Sequence, residues 1–174
     1  MRIHFIAIGG AAMHSLAIAL QKKGYAVTGS DDEIFDPARA ALERAGLLPE
    51  EPGWFPEEIT TDLDAVILGM HARKDNPELN KALDLGIRVF SFPEFLYHET
   101  QNKLRVVIAG SHGKTTITSM VMHVLRYHKV GFDYMVGSRL EGFDNMVDLD
   151  GSNKLAVFEA VSYTHLTLPT KRIV

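Results

Sequence analysis

Short apolar runs alternate along this chain with stretches of helical period. Ile3–Ile8 reads as a buried strand, followed by a Gly9-Gly10 turn. A helical pattern runs from about Ala12 to Lys23 and is closed by Gly24. Ala26-Val27-Thr28 reads as a second strand. Pro37–Ala45 is helical, with Pro37 suited to a first helical position and Gly46 to the C-terminal cap. Ala65–Leu68 is a third strand. Asn76-Pro77 opens a helix that ends near Leu85-Gly86, Ile87–Phe90 is a fourth strand, and Pro93–Glu99 is a short helix. This strand–helix alternation predicts a parallel sheet with helices on its faces.

The polar run His98–Lys103 reads as a linker, after which the rhythm restarts. Arg105–Ala109 is a strand, Thr115–Tyr127 a helix and Leu155–Phe158 another strand. The expectation is a complete domain over 1–100 and an incomplete one over 104–160. Residues 161–174 hold no acidic residue and no clear period.

Between the fifth strand and its helix lies Gly110-Ser111-His112-Gly113-Lys114-Thr115-Thr116. A phosphate loop needs backbone N–H groups that converge on oxygens, glycines that let the backbone approach, a lysine and a magnesium-binding hydroxyl. The helix start adds a favourable dipole. All of these are present in the required strand–loop–helix context. The form is G-x-x-G-K-T-T, because Ile108 stands where the full motif has its first glycine. The bland alternative is a glycine turn before an amphipathic helix.

The first turn carries a weaker signal. Gly9-Gly10 lies between a strand and a helix, and Asp31 and Asp32 follow the second strand, where an acid can bind a ribose hydroxyl. The dinucleotide fingerprint itself fails, because Ala11 and His14 replace its later glycines. His14 is expected to cap or pack at this turn. His71 follows the third strand, at the end of the sheet where such folds bind ligands.

Composition narrows the classes. The 174 residues are 46% hydrophobic, enough for one ordinary core or for a small domain plus part of another. The net charge is -4 and basic residues do not cluster, which argues against a nucleic-acid partner. There is no cysteine, hence no disulfide framework and no thiolate metal site. The start has no signal-peptide pattern, and the apolar runs fall short of the roughly 18 residues of a membrane helix. A cytoplasmic protein without a membrane partner is expected.

A Rossmann-like domain followed by G-x-x-G-K-T-T resembles the Mur ligases, which build peptidoglycan precursors. The resemblance covers about residues 2 to 160. It implies an α/β architecture: a Rossmann-like, UDP-sugar-binding N-terminal domain, then the start of a P-loop ATPase domain. Ala7-Ile8-Gly9-Gly10-Ala11-Ala12-Met13-His14, Gly69-Met70-His71-Ala72-Arg73, Val136-Gly137 and Leu140-Glu141-Gly142-Phe143 are most similar to the branch that recycles a salvaged L-alanyl-γ-D-glutamyl-meso-diaminopimelate tripeptide. The branch that adds L-alanine is the alternative.

The resemblance also implies roles. ATP and Mg2+ would be the cofactors, with UDP-N-acetylmuramate and a peptide or amino acid as substrates. Gly110, Ser111, His112, Gly113 and Thr116 would surround the phosphates, with Lys114 on the β- and γ-phosphates. Thr115 and Glu159 would hold magnesium, and with Lys114 they form the catalytic set. Gly9, Gly10, Ala11, Ser30 and Asp31 would bind the uridine nucleotide, with His71 near its pyrophosphate or sugar. Phosphorylation of the lactyl carboxylate would give an acyl phosphate that an amine attacks.

After Glu159-Ala160 the family pattern continues with an acidic pair and an aromatic residue. Val161–Val174 departs from it and resembles translated adapter or vector sequence, expected to be foreign to the fold. On this reading the chain is not expected to ligate by itself. Other readings are a nucleotide-dependent dehydrogenase, a P-loop kinase or GTPase, and a non-catalytic nucleotide-binding module. The broken dinucleotide fingerprint and the second phosphate loop count against the first. The Rossmann-like domain ahead of the loop counts against the second.

Overall fold

The computed structural model describes residues 1–70, 72–73 and 75–160. The expectations for His71 and for 161–174 lie outside the described residues. The chain forms two compact units, Met1–Phe92 with Val147–Leu149, and Pro93–Met146 with the residues from Asp150 onward.

In the first unit, strands β1 (Arg2–Ile6), β2 (Ala26–Ser30), β3 (Ala65–Leu68) and β4 (Val89–Ser91) form one sheet. Helices α1 (Ala11–Lys22), α2 (Ala38–Ala45) and α3 (Pro77–Asp84) connect them. The sheet order is β2-β1-β3-β4, and each neighbouring pair is parallel. The chain leaves β1 to one side for β2 and returns to its other side for β3. That is a topological switch point, and ligands of open α/β sheets bind at such a point, beyond the strand ends.

Sequence and packing agree closely here. Ile3, Phe5 and Ile6 of β1 are fully buried, as a central parallel strand covered on both faces requires. Strand β1 ends two residues before the apolar run does. Ala7 adopts a left-handed φ of 65°, which turns the chain out of the sheet, although Ile8 N–H still donates to Ser30 O. Helix α2 is capped by Gly46 in the left-handed region, as expected, but Pro37 stands at its N-cap rather than inside it. Helix α3 opens at Asn76-Pro77, and the Asn76 side chain accepts from the N–H groups of Glu78 and Leu79.

Helix α4 spans Phe92–Thr100. The run read as a linker is therefore helical as far as Thr100. The buried Thr100 hydroxyl donates to Leu96 O at 2.7 Å, so its polarity is satisfied within the helix.

The second sheet contains β5 (Leu104–Ile108), β6 (Asp133–Met135), β7 (Val147–Asp148) and β8 (Leu155–Glu159), in the order β5-β8-β6-β7. Strand β8 is parallel to β5 and to β6. Helix α5 (Lys114–Tyr127) follows β5. Met122 of α5 packs with Tyr134, Val136 and Val157 in the core of this unit. The nearly buried Lys103 and Asp133 pair at 2.5 Å, and Asp133 also accepts from Asp150 N–H and the Asn153 amide. These contacts anchor the segment between β6 and β8. No helix of the described residues is long and apolar enough to cross a membrane.

Candidate phosphate loop and nucleotide turn

Strand β5 delivers the chain to Gly110, and α5 begins at Lys114. Gly113 is the N-cap of α5, with a φ of 74° that suits glycine. No side chain caps this helix start, so its leading N–H groups are left for an anion. Ser111, His112 and Gly113 are exposed, and Thr116 begins the outer face of the first turn. Lys114 lies over the loop, with Nζ donating to Gly110 O at 2.9 Å. The loop is thus folded as a cradle with its cation poised at the rim.

Behind Lys114 the expected magnesium pair is assembled. The Thr115 hydroxyl donates to Glu159 Oε1 at 2.7 Å. Glu159 ends β8, is 6% exposed, and its second oxygen accepts from Gly137 N–H at 2.8 Å. Register sets this geometry, because Glu159 lies beside Ile108 in the parallel β5–β8 pair. The strand that leads into the loop and the strand that ends in the acid are neighbours. Among the described residues no group of three or more histidines or carboxylates stands ready for a metal. Two adjacent protein oxygens, one of them anionic, nevertheless fit Mg2+, which takes few protein ligands and completes its shell with phosphate oxygens and water. Gly137 is a partner that motif reasoning did not assign. Val136-Gly137 signalled it only as part of a family-like stretch.

The structure also brings together residues of the candidate nucleotide turn in the first unit. Asp31 Oδ2 accepts from Gly9 N–H at 2.7 Å. Burial pushes the Asp31 carboxyl above its ordinary range, and the Asp32 side chain adds to this, while the Gly9 and Glu33 N–H groups oppose it. Gly10 is the N-cap of α1, without a side-chain cap, and Ala11 is the first helical residue. His14 packs at this turn, with Nδ1 on Gly10 O at 2.9 Å, and caps none of the leading N–H groups. Ser30 is fully buried, and its hydroxyl donates to Glu78. Beside these residues a cleft of about 320 Å3 is lined by Asp32, Trp54, Arg73, Asp75, Asn76 and Pro77. Trp54 and Asp75 carried no sequence signal, and Arg73 stood only within a family-like stretch. They come from loops, where no periodicity reports position.

The family model for the Mur ligase catalytic domain matches residues 2–103. The chain belongs to the Mur ligase family. Among curated relatives of this Mur ligase chain, the UDP-N-acetylmuramate–L-alanine ligase of Carboxydothermus hydrogenoformans is 40% identical over 78% of the chain and 28% of the relative. The enzyme of that name from Sulfurihydrogenibium is 38% identical over 91% and 34% respectively. The UDP-N-acetylmuramate:L-alanyl-γ-D-glutamyl-meso-diaminopimelate ligase of Neisseria meningitides superposes with a TM-score of 0.79 at 27% identity, covering 91% of this chain and 52% of that one. The UDP-N-acetylmuramate–alanine ligase of Thermotoga maritima gives 0.71 at 28%, covering 91% and 36%. The chain spans about a third of the length of the curated relatives it matches.

Proposed function

We propose that this chain carries the UDP-sugar-binding and ATP-phosphate-binding parts of a ligase that joins an amine to the lactyl carboxylate of UDP-N-acetylmuramate. The Thr115–Glu159 pair behind an uncapped phosphate loop carries the reading. A loop threonine aligned with a buried strand-end acid is how P-loop enzymes hold Mg2+ at the phosphates, so the pair supports phosphoryl transfer, and family membership supports a carboxylate as the acceptor. MgATP supplies the phosphoryl group that turns an unreactive carboxylate into an acyl phosphate. The chain's residues hold and orient. The α5 N–H groups and Lys114 would bind phosphate oxygens, and Thr115 with Glu159 would hold the cation against them. The cleft of the first unit would bind the uridine diphosphate, a remote part of the substrate whose binding energy can be used to position the reacting carboxylate.

For the amine we favour the L-alanyl-γ-D-glutamyl-meso-diaminopimelate tripeptide. Support comes from the first-turn residues Gly9-Gly10-Ala11-Ala12, the Met70-His71 stretch, and the higher TM-score of the tripeptide ligase. L-Alanine is the second reading, supported by the 40% and 38% identities of the alanine ligases. The decisive assay gives a full-length enzyme carrying these residues UDP-N-acetylmuramate, MgATP and either amine, and follows phosphate release. Faster turnover with the tripeptide is expected. Turnover with L-alanine alone reverses the choice, and release with neither amine removes the ligase reading.

A further inference from the structure

Glu78 lies in the first turn of α3. In sequence, Asn76-Pro77-Glu78 looks like an ordinary helix start whose acid faces solvent and complements the helix dipole. In the structure Glu78 is fully buried. Its Oε2 accepts from the Ser30 hydroxyl at 2.5 Å, and its Oε1 accepts from Phe55 N–H at 2.6 Å. His4 Nε2 stands 3.4 Å from Oε2, an electrostatic contact outside hydrogen-bond geometry, and His4 Nδ1 pairs with Thr28 Oγ1 at 2.9 Å.

Each attachment point lies one or two residues from a wall of the cleft. Ser30 ends β2, two residues before Asp32. Phe55 follows Trp54. Glu78 itself follows Asn76 and Pro77. Asp32, Trp54, Asn76 and Pro77 all line the cleft. One carboxylate therefore ties together three segments far apart in sequence, adding to the Gly53 N–H to Asp31 O bond that joins the first two.

The donors around Glu78 favour its carboxylate form. Burial pushes its carboxyl upward, but His4, the Ser30 hydroxyl and the Phe55 N–H together hold it below the ordinary carboxylate range. Burying an ion is costly, and an apolar residue of similar volume often serves stability as well or better. A charged group at this place is explained by geometry rather than by stability.

We propose that Glu78 is a positioning residue of the nucleotide cleft, a buried strut that fixes the end of β2, the Trp54 loop and the start of α3 against one another. This deepens the reading of the cleft as the uridine-diphosphate site and rests on it. Two variants separate shape from charge. In Glu78→Gln the amide oxygen still accepts from Phe55 N–H, and the amide nitrogen donates to Ser30 Oγ. Glu78→Ala cuts both ties.

The protein has a single tryptophan, Trp54, so its fluorescence reports the loop directly. The test measures UDP-N-acetylmuramate affinity by calorimetry and acrylamide quenching of Trp54 without ligand. Glu78→Ala is expected to weaken binding about tenfold or more and to raise quenching, while Glu78→Gln stays within about threefold of the parent in both. Parent-like binding and quenching in Glu78→Ala overturns the proposal, as does a Gln variant as impaired as the Ala variant. If circular dichroism shows Glu78→Ala unfolded, Ser30→Ala decides by the same two readouts, with no change counting against the strut. If the parent itself does not bind UDP-N-acetylmuramate, the reading of the cleft fails. Trp54 quenching then judges Glu78 alone, and unchanged quenching in the folded variant overturns it.

Discussion

Both oxygens of Glu159 are committed, one to the Thr115 hydroxyl and one to Gly137 N–H. A carboxylate accepts at both oxygens, whereas an amide accepts at only one. Glu159→Gln therefore turns an N–H donor toward a partner and removes the negative charge beside Thr115. The variant is expected to lose about tenfold or more in ATP affinity when Mg2+ is present, and to change little in excess chelator. Calorimetric titration with and without Mg2+ checks this, and an equal loss under both conditions would contradict a cation role for Glu159. The loop side of this arrangement was legible in the sequence, because Gly110–Thr116 packs its chemistry into seven consecutive residues. Glu159 needed the family pattern as well, since a strand-end acid has no local signature. Glu78 was illegible for the opposite reason. Its local context describes a solvated helix start, and only tertiary contacts with Ser30 and Phe55 bury it.

Among the elements, α3 places its helix start at the wall of the candidate cleft. The Asn76 side chain satisfies two of the orphan N–H groups, and Asn76 and Pro77 also line the cleft. Asn76→Ala is expected to cost about 1 kcal/mol of stability, the ordinary loss of an N-cap side chain. Urea unfolding measures it, and a loss near zero would mean that packing rather than the cap holds the helix start. Asn76-Pro77 and Gly46 announced their helix ends in sequence through backbone chemistry that needs no tertiary partner. The same holds for β1 and β3, whose apolar runs are long enough to stand out. Strands β6 and β7 have only three and two residues. They are too short for a period, and neighbouring strands define them. Thr100 misled for a related reason, because a hydroxyl bonded to its own helix looks like a loop residue when read one letter at a time.

For the whole molecule, the candidate phosphate loop and the candidate nucleotide turn are separate in the chain and follow strands of different sheets, so the two ligands should leave separate traces. In hydrogen exchange, MgATP is expected to slow the amides of the phosphate loop and the start of α5. UDP-N-acetylmuramate is expected to slow those of Gly9–Ala11 and the Trp54 loop. Protection of the same amides by both ligands would contradict the assignment of two sites. A side chain at position 137 would begin 3.3 Å from both Glu159 oxygens, and aspartate at 159 is one methylene shorter than the present acid. The first change requires the acid to give by a few tenths of an ångström, and the second draws it back from its two anchors. Positions 115, 137 and 159 are scattered along the chain, yet they meet at one carboxylate. Variation at any of them is expected to be accompanied by change at the others, even where the surrounding loops diverge freely.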